Sequence, residues 1–212
     1  MAVKKNNFKP TKKDLRIMFY MSKSGGISHA ALLDRFGYSQ KTIASRFSKL
    51  SCIQKNPEEE VVDGKVVTRY VYSLNAEGKD LMLKHNLNHH CCSYYGYEHL
   101  LKSEQELFRL VGRDEMFDSK KSEVDVPSGI VALEDIMGEA EQRFKHEANI
   151  ELLKKEENMS VSVVDYLYKN SSGEYVAVEV ETSNYRKERR EAHSNYVKYV
   201  LGLNSDNYRI VK

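Results

Sequence analysis

The stretch EEEVVDGKVVTRYVYSL, which runs from Glu58 to Leu74, decides the fold of the first part of the chain. Two runs rich in valine, threonine and tyrosine flank the dipeptide Asp63-Gly64. Such residues favour strands, and Asp-Gly favours the left-handed backbone that a two-residue hairpin turn requires. The stretch therefore predicts a β-hairpin that turns at Asp63 and Gly64.

Three helices are predicted before this hairpin and one after it. Thr11 and Asp14 match a capping box, with Asp in place of the usual Glu or Gln, and apolar residues at helical spacing follow them. A second helix is predicted over Ser28–Phe36, and Ser39 has the side chain to cap a third. Beyond the hairpin, a fourth helix is expected over Gly78–Leu87. This order of elements is that of a winged helix-turn-helix.

The third predicted helix has two chemically different faces. Ile43, Ala44, Phe47 and Leu50 are expected to form its apolar face, while amides, hydroxyls and cations form the other. The second face suits DNA, because amides and hydroxyls read base edges and cations bind phosphates. We expect this helix to enter the major groove while the tip of the hairpin lies against the DNA backbone. The residues predicted to contact DNA are Ser39, Gln40, Lys41, Thr42, Ser45, Arg46, Lys49, Lys65 and Arg69.

The charge distribution favours the same interpretation. The whole chain carries a net charge of +2, but residues 1–55 contain 12 Lys or Arg and 2 Asp, a local charge of +10. The rest of the chain carries −8. Asymmetry of this kind is typical of a chain with one end that binds a polyanion. Double-stranded DNA is therefore the predicted partner, and a winged helix that contacts another protein is the alternative.

The composition is that of a soluble globular protein. The chain has 212 residues, of which 41% are hydrophobic and 30% are charged. No apolar run approaches the roughly 18 residues that a membrane span needs, and the first residues lack the apolar core of a signal peptide. Three cysteines, two of them adjacent, do not make a disulfide framework. We expect a cytoplasmic protein with no membrane contact.

The middle of the chain predicts a linker. The stretch His89-His90-Cys91-Cys92 suggests metal ligands, but zinc sites space their ligands by two or more residues, and adjacent side chains point in opposing directions. The favoured interpretations are the start of a linker and a buried, small apolar pair of cysteines. One helix is predicted over Glu98–Val111, followed by a polar, acidic loop up to Gly129. We therefore divide the chain into a winged-helix domain (residues 1–87), a linker with one helix (88–129) and a second domain (130–212).

The second domain is predicted to be a small α/β unit. A helical pattern covers Ile130–Glu157, and two strand-like segments, Val161–Tyr168 and Glu174–Thr182, flank a turn. A basic helix over Tyr185–Leu201 and a last strand over Tyr208–Val211 complete the order. Helix, hairpin, helix and strand form an α/β sandwich around a mixed sheet. The fold class predicted for the whole chain is α+β.

Acidic residues are expected to converge on this sheet. Asp165 lies on one predicted strand and Glu179 and Glu181 on the next, with Glu147 or Glu151 reaching over from the helix. Alternate residues of a strand share a face, so the two strand glutamates would lie side by side. Carboxylates of this kind hold Mg²⁺ or Mn²⁺, which can activate water at a phosphate. The alternative is a surface ion-pair network with the basic helix that follows.

This acidic pattern resembles the PD-(D/E)xK nuclease core. That core has an Asp on one strand and (D/E)-x-K on its neighbour, and here Glu181 takes the Lys position while Val164 takes the Pro position. The resemblance implies that Asp165 and Glu179 hold a magnesium ion. It also implies that Glu181 is a third ligand or the base that takes the proton of the attacking water. Asp165, Glu179 and Glu181 are thus the candidate catalytic residues of a Mg²⁺-dependent DNA endonuclease.

Both parts together resemble the replication-relaxation family of plasmids and integrative mobile elements. The similar segments are Thr11–Leu15, Phe144–Leu152 and Ala177–Glu181. The resemblance implies a sequence-specific DNA-binding accessory protein that assists replication initiation or conjugative DNA processing. A relaxase or replication protein is the further partner it implies. A second copy of the chain, forming a homodimer, is a separate candidate partner. Two alternatives stay open: the site-specific endonuclease, and a winged-helix transcriptional repressor whose second domain only dimerises.

Overall fold

Two small β-sheets organise the protein, one in each half of the chain, and helices pack against both. The computed structural model describes residues 9–85, 94–111, 130–131, 150–155, 157–170, 172–183 and 185–212. Helices and strands both contribute to the folded core, so the predicted α+β class is confirmed. Within these ranges, no helix is long and apolar enough to cross a membrane.

The first half contains a three-stranded antiparallel sheet and four helices. The strand order is β1-β3-β2, and β2 pairs with β3 along its whole length. The predicted hairpin turn is confirmed, with positive φ angles of 51° at Asp63 and 74° at Gly64. The elements are α1 (Lys12–Ser24), β1 (Ile27–Ser28), α2 (His29–Asp34), α3 (Gln40–Phe47), β2 (Ile53–Val62), β3 (Lys65–Leu74) and α4 (Ala76–Lys84).

Side-chain caps set the beginnings of these helices. The capping box of Thr11 and Asp14 is confirmed at the start of α1. The Ser28 hydroxyl accepts the Ala31 N–H at 3.1 Å to cap α2, which ends at Asp34, earlier than predicted. The predicted cap of α3 by Ser39 is also confirmed.

The apolar face of α3 differs from the prediction at one position. Ile43, Phe47 and Leu50 are buried as expected, but Ala44 is exposed. Residues 43, 47 and 50 follow each other at helical spacing, whereas residue 44 is rotated by about 100° from Ile43 and faces water. Ala44 therefore belongs to the outer surface of α3, beside the polar side chains.

The second half contains a four-stranded mixed sheet. Its order is β4-β5-β6-β7, with β6 and β7 parallel and the other pairs antiparallel. The mixed sheet and the last strand are as predicted. The elements are β4 (Ile130–Val131), a helical segment at residues 150–155, β5 (Tyr166–Lys169), β6 (Tyr175–Val180), α6 (Lys187–Asn195), a π-helical turn (Tyr196–Val200), a 3-10 turn (Ser205–Asn207) and β7 (Tyr208–Val211).

Two predictions about this half were wrong. Ile130–Val131, expected to open a helix, form the strand β4 against Leu167 and Tyr168 of β5. A β-branched pair gains more from this sheet edge than from a helix. The strand expected to begin at Val161 begins at Tyr166 instead. Val161 and Val164 are nonetheless buried, because they pack in a loop against Tyr196 and Val197.

A long helix, α5 (Tyr97–Val111), joins the two halves. Leu107 belongs to an apolar cluster that contains Tyr20 and Phe36 from the first half and Tyr166 and Val178 from the second. The core is therefore continuous between the two sheets. The loop predicted at residues 112–129 and the stretch His89–Cys92 lie outside the described residues.

Candidate nucleic-acid interface and acidic cluster

The outer face of α3 is polar and exposed. Gln40, Lys41, Ser45 and Lys49 are all exposed to solvent. Ser39 is exposed as well, but its hydroxyl lies 2.8 Å from that of Thr42 and accepts the Thr42 N–H. The structure thus places the predicted DNA-contacting side chains of α3 on one surface. The Ser39 hydroxyl, however, caps the helix.

Arg46 occupies a different environment from the two lysines. Its Nε donates to Asp14 Oδ1 at 2.5 Å, and its Nη2 donates to Asp14 Oδ2 and to the Thr11 hydroxyl. Burial of Asp14 would raise the pKa of its carboxyl, but the hydrogen bonds from Arg46 and Thr11 hold that pKa below its ordinary value. The predicted phosphate contact of Arg46 therefore competes with an ion pair inside the fold.

The hairpin presents both predicted cations to solvent. Lys65 lies just after the turn, and Arg69 pairs with Glu60 across the hairpin at 3.1 Å, with both partners more than two-fifths exposed. Exposed pairs of this kind contribute at most about 1 kcal/mol, so this pair can be exchanged for a phosphate. A cleft of about 400 Å³ separates Arg69 from Gln40 at the start of α3.

Asp165, the residue before β5, contacts both β6 and α5. Its carboxylate accepts the Val180 N–H at 2.7 Å, and His99 Nε2 lies 3.3 Å away. His99 comes from α5, 66 residues earlier in the chain. The aspartate therefore ties β6 and α5 together.

Glu179 is buried and points to α6. Its Oε1 accepts the hydroxyl of Tyr185 and lies 3.3 Å from His193 Nε2, and both Glu179 and His193 are at most 2% exposed. Burial, with the neighbouring charge of Asp165, raises the pKa of Glu179 to about 8. Burial lowers the pKa of His193 to about 4. Both shifts favour the uncharged form of each group.

Glu181 forms an ion pair with the same helix. Arg190 donates from Nε at 2.5 Å and from Nη2 at 2.7 Å to the two carboxylate oxygens. Lys102 of α5 donates to the Glu181 backbone carbonyl at 2.9 Å. A planar guanidinium satisfies both oxygens of a carboxylate, so this acid is already neutralised by the protein itself.

Each of the three acids contacts other protein groups in this structure. Among the residues that the structure describes, no three His, Cys, Asp or Glu side chains form a group that could hold a metal ion. Glu151 is exposed and pairs with Lys155 at 3.3 Å, and Glu147 lies outside the described residues. The metal and the catalytic roles of Asp165, Glu179 and Glu181 stay predictions.

The sequence did not reveal the partners of these acids. Nothing in the sequence marks His99 as a partner of Asp165, and Tyr185 and His193 fall within the predicted basic helix without a role of their own. Spacing offers one signal: Tyr185 and His193 lie eight residues apart within the predicted basic helix, roughly on one side of it, although the observed helix begins only at Lys187. Comparison of the chain with family models, curated proteins and solved structures finds no match.

Proposed function

We propose that the protein binds double-stranded DNA through a winged helix-turn-helix formed by the first half of the chain. The observation that carries this proposal is α3: Ile43 and Phe47 anchor it in the core, while Gln40, Lys41 and Lys49 face solvent. A helix whose inner face packs in the core, and whose exposed face carries amides and cations, suits the major groove of DNA. The local charge of +10 over residues 1–55 supports a polyanionic partner.

Different residues of this surface serve affinity and specificity. Lys41 and Lys49 are exposed cations and bind phosphates on either side of the groove. Gln40, at the first turn of α3, is placed to meet base edges, because residues at the start of such a helix reach deepest into the groove. Arg46 stabilises the position of α3 through Asp14.

The second half serves this function without cutting DNA. Each acid of the predicted catalytic group has protein partners: His99 for Asp165, Tyr185 and His193 for Glu179, and Arg190 for Glu181. These contacts support a structural role for the three acids. In this proposal the second half keeps a nuclease-like arrangement that does not cut DNA. A role as an accessory protein of a mobile element, beside a relaxase or replication protein, rests on the family resemblance and remains part of the proposal.

The test is duplex binding measured by fluorescence anisotropy over a range of salt concentrations. Each lost phosphate contact should reduce the salt slope by about one, so Lys41→Ala with Lys49→Ala should reduce it by about two. Lys154→Ala with Lys198→Ala removes two exposed cations outside α3 and is the control. Absence of duplex binding by the wild type, or equal slopes in the wild type and the double variant, would overturn the proposal.

A further inference from the structure

Gln40 is held by a chain of two polar side chains, His29 and Tyr72. Its Oε1 lies 3.2 Å from His29 Nε2, and the other ring nitrogen, Nδ1, lies 3.3 Å from the hydroxyl of Tyr72. His29 is the first residue of α2 and Tyr72 belongs to β3, so two neighbouring elements fix the side chain at the start of α3.

The chemistry of these atoms sets the direction of the hydrogen bonds. An amide oxygen only accepts, so His29 Nε2 must carry a proton and donate it to Gln40 Oε1. In the neutral ring, Nδ1 is then the acceptor, and the Tyr72 hydroxyl donates to it. In the protonated ring Nε2 still donates, so the orientation of the Gln40 amide is the same in both states.

The support behind Gln40 is rigid. Tyr72 is 4% exposed and its ring lies 5.2 Å from that of Phe47. Ser28, next to His29, is fixed by the carboxylate of Glu104, which accepts its hydroxyl at 2.8 Å and its backbone N–H. A donor fixed in this way holds the glutamine in one orientation before any partner binds, which reduces the entropy lost on binding.

We propose that His29 and Tyr72 are positioning residues that orient Gln40 to read an adenine in the major groove. This inference rests on the proposed DNA-binding function. With Oε1 turned to His29, the NH₂ group of the exposed Gln40 donates to the adenine N7. The second lone pair of Oε1 accepts from the adenine N6 amino group, which completes the two-bond pairing of glutamine with adenine. Guanine offers an acceptor at O6 in place of that amino group and loses one bond.

The experiment selects preferred duplexes from a random library with the full chain and then measures binding to every single-base-pair substitution of the selected site. Gln40→Ala should abolish the preference for one A·T pair, a loss of about ten-fold in discrimination. Tyr72→Phe and His29→Ala should weaken the preference at that same pair and leave the salt slope unchanged. Tyr72→Phe keeps the ring in the core, so its result does not depend on tolerance of a cavity.

Lys49→Ala is the control with the opposite signature: it should lower the salt slope and keep the base preference. Equal preference at the Gln40 position in wild type, His29→Ala and Tyr72→Phe would overturn the inference, as would a Gln40-dependent preference for a base other than adenine. A wild type that binds no duplex would instead overturn the proposed function itself, so the two failures are distinct.

Discussion

Arg46 of α3 and Asp14 of α1 form an ion pair whose aspartate side chain has no exposed surface, while that of the arginine is 22% exposed. The same carboxylate accepts the backbone N–H of Thr11 at 2.6 Å in the capping box. The Asp14 carboxylate therefore both caps the start of α1 and fixes α3 against α1. Arg46, which was predicted to contact DNA, therefore fixes α3 in place.

Replacing Arg46 should therefore affect folding before it affects DNA binding. Arg46→Ala leaves a buried carboxylate without its main partner, and we expect a loss of about 1–3 kcal/mol in the free energy of unfolding. Urea denaturation followed by circular dichroism measures it. Lys49→Ala, an exposed cation of the same surface, should change stability by under about 0.5 kcal/mol. Equal stability of the two variants would contradict the role assigned to the ion pair.

The pKa of Glu179 predicts how stability depends on pH. An ordinary glutamate has a pKa of 4.5, and Glu179 in the folded protein has one of about 8, so the folded state holds an extra proton between these values. Stability from this group is complete at low pH and is lost as the pH rises towards 8. His193 acts with the opposite sign, but only between pH of about 4 and 6.5. Glu104, with a pKa of about 7, adds to the loss up to that pH.

Between pH 7 and about 8, the change of stability with pH should come from Glu179 and not from His193. Thermal melts at half-unit steps should show a falling Tm in the wild type and a flatter profile in Glu179→Gln, which stays neutral at every pH. Glu188→Gln on the exposed side of α6 is the matched control and should behave as the wild type. An unchanged fall of Tm in Glu179→Gln would show that another group titrates.

The partners of the three acids predict an outcome for metals. Millimolar Mg²⁺ or Mn²⁺ should not raise the Tm: an ion that bound the folded state would stabilise it, but Glu181 is already paired with Arg190, and Asp165 and Glu179 contact His99 and Tyr185. Supercoiled plasmid should stay intact in the same buffers. A metal-induced rise, or nicking, that disappears in Glu179→Ala with Glu181→Ala would instead establish the endonuclease.

The continuous core predicts one unfolding transition. Leu107 of α5 is 1% exposed and lies in the cluster that joins the two sheets, so Leu107→Ala should cost about 2–5 kcal/mol and shift the whole transition. Leu101→Ala, on the same helix with its side chain 40% exposed, is the control and should cost far less. Calorimetry that resolves two separate transitions in the wild type would support two independent domains instead.

Local chemistry made part of the fold predictable. The hairpin turn follows from Asp63-Gly64 and the helix starts from Thr11, Ser28 and Ser39, because each signal acts within a few residues. Ile130–Val131 carried no such signal, since their strand exists only through pairing with β5, more than 30 residues away. The sequence pattern could not distinguish a buried loop from a strand at Val161 for the same reason.

The chemistry of the acidic cluster also depends on contacts that local sequence does not reveal. The sequence places Glu179 and Glu181 side by side, and the structure keeps both next to α6. Their chemistry depends on where α5 and α6 bring His99, His193 and Arg190, and that information is tertiary. The spacing of the acids in the sequence predicts a metal site. Their tertiary contacts predict instead a protonated Glu179 and an ion-paired Glu181.

The position of α5 also determines where the chain can be cut. A fragment that ended at Lys84 would contain every predicted DNA contact, but it would lose Phe108, whose ring lies 6.3 Å from Tyr20 and 6.2 Å from Phe36. It would also lose Glu104, the partner of Ser28 beneath His29. An N-terminal fragment that keeps these contacts must therefore extend at least to Val111.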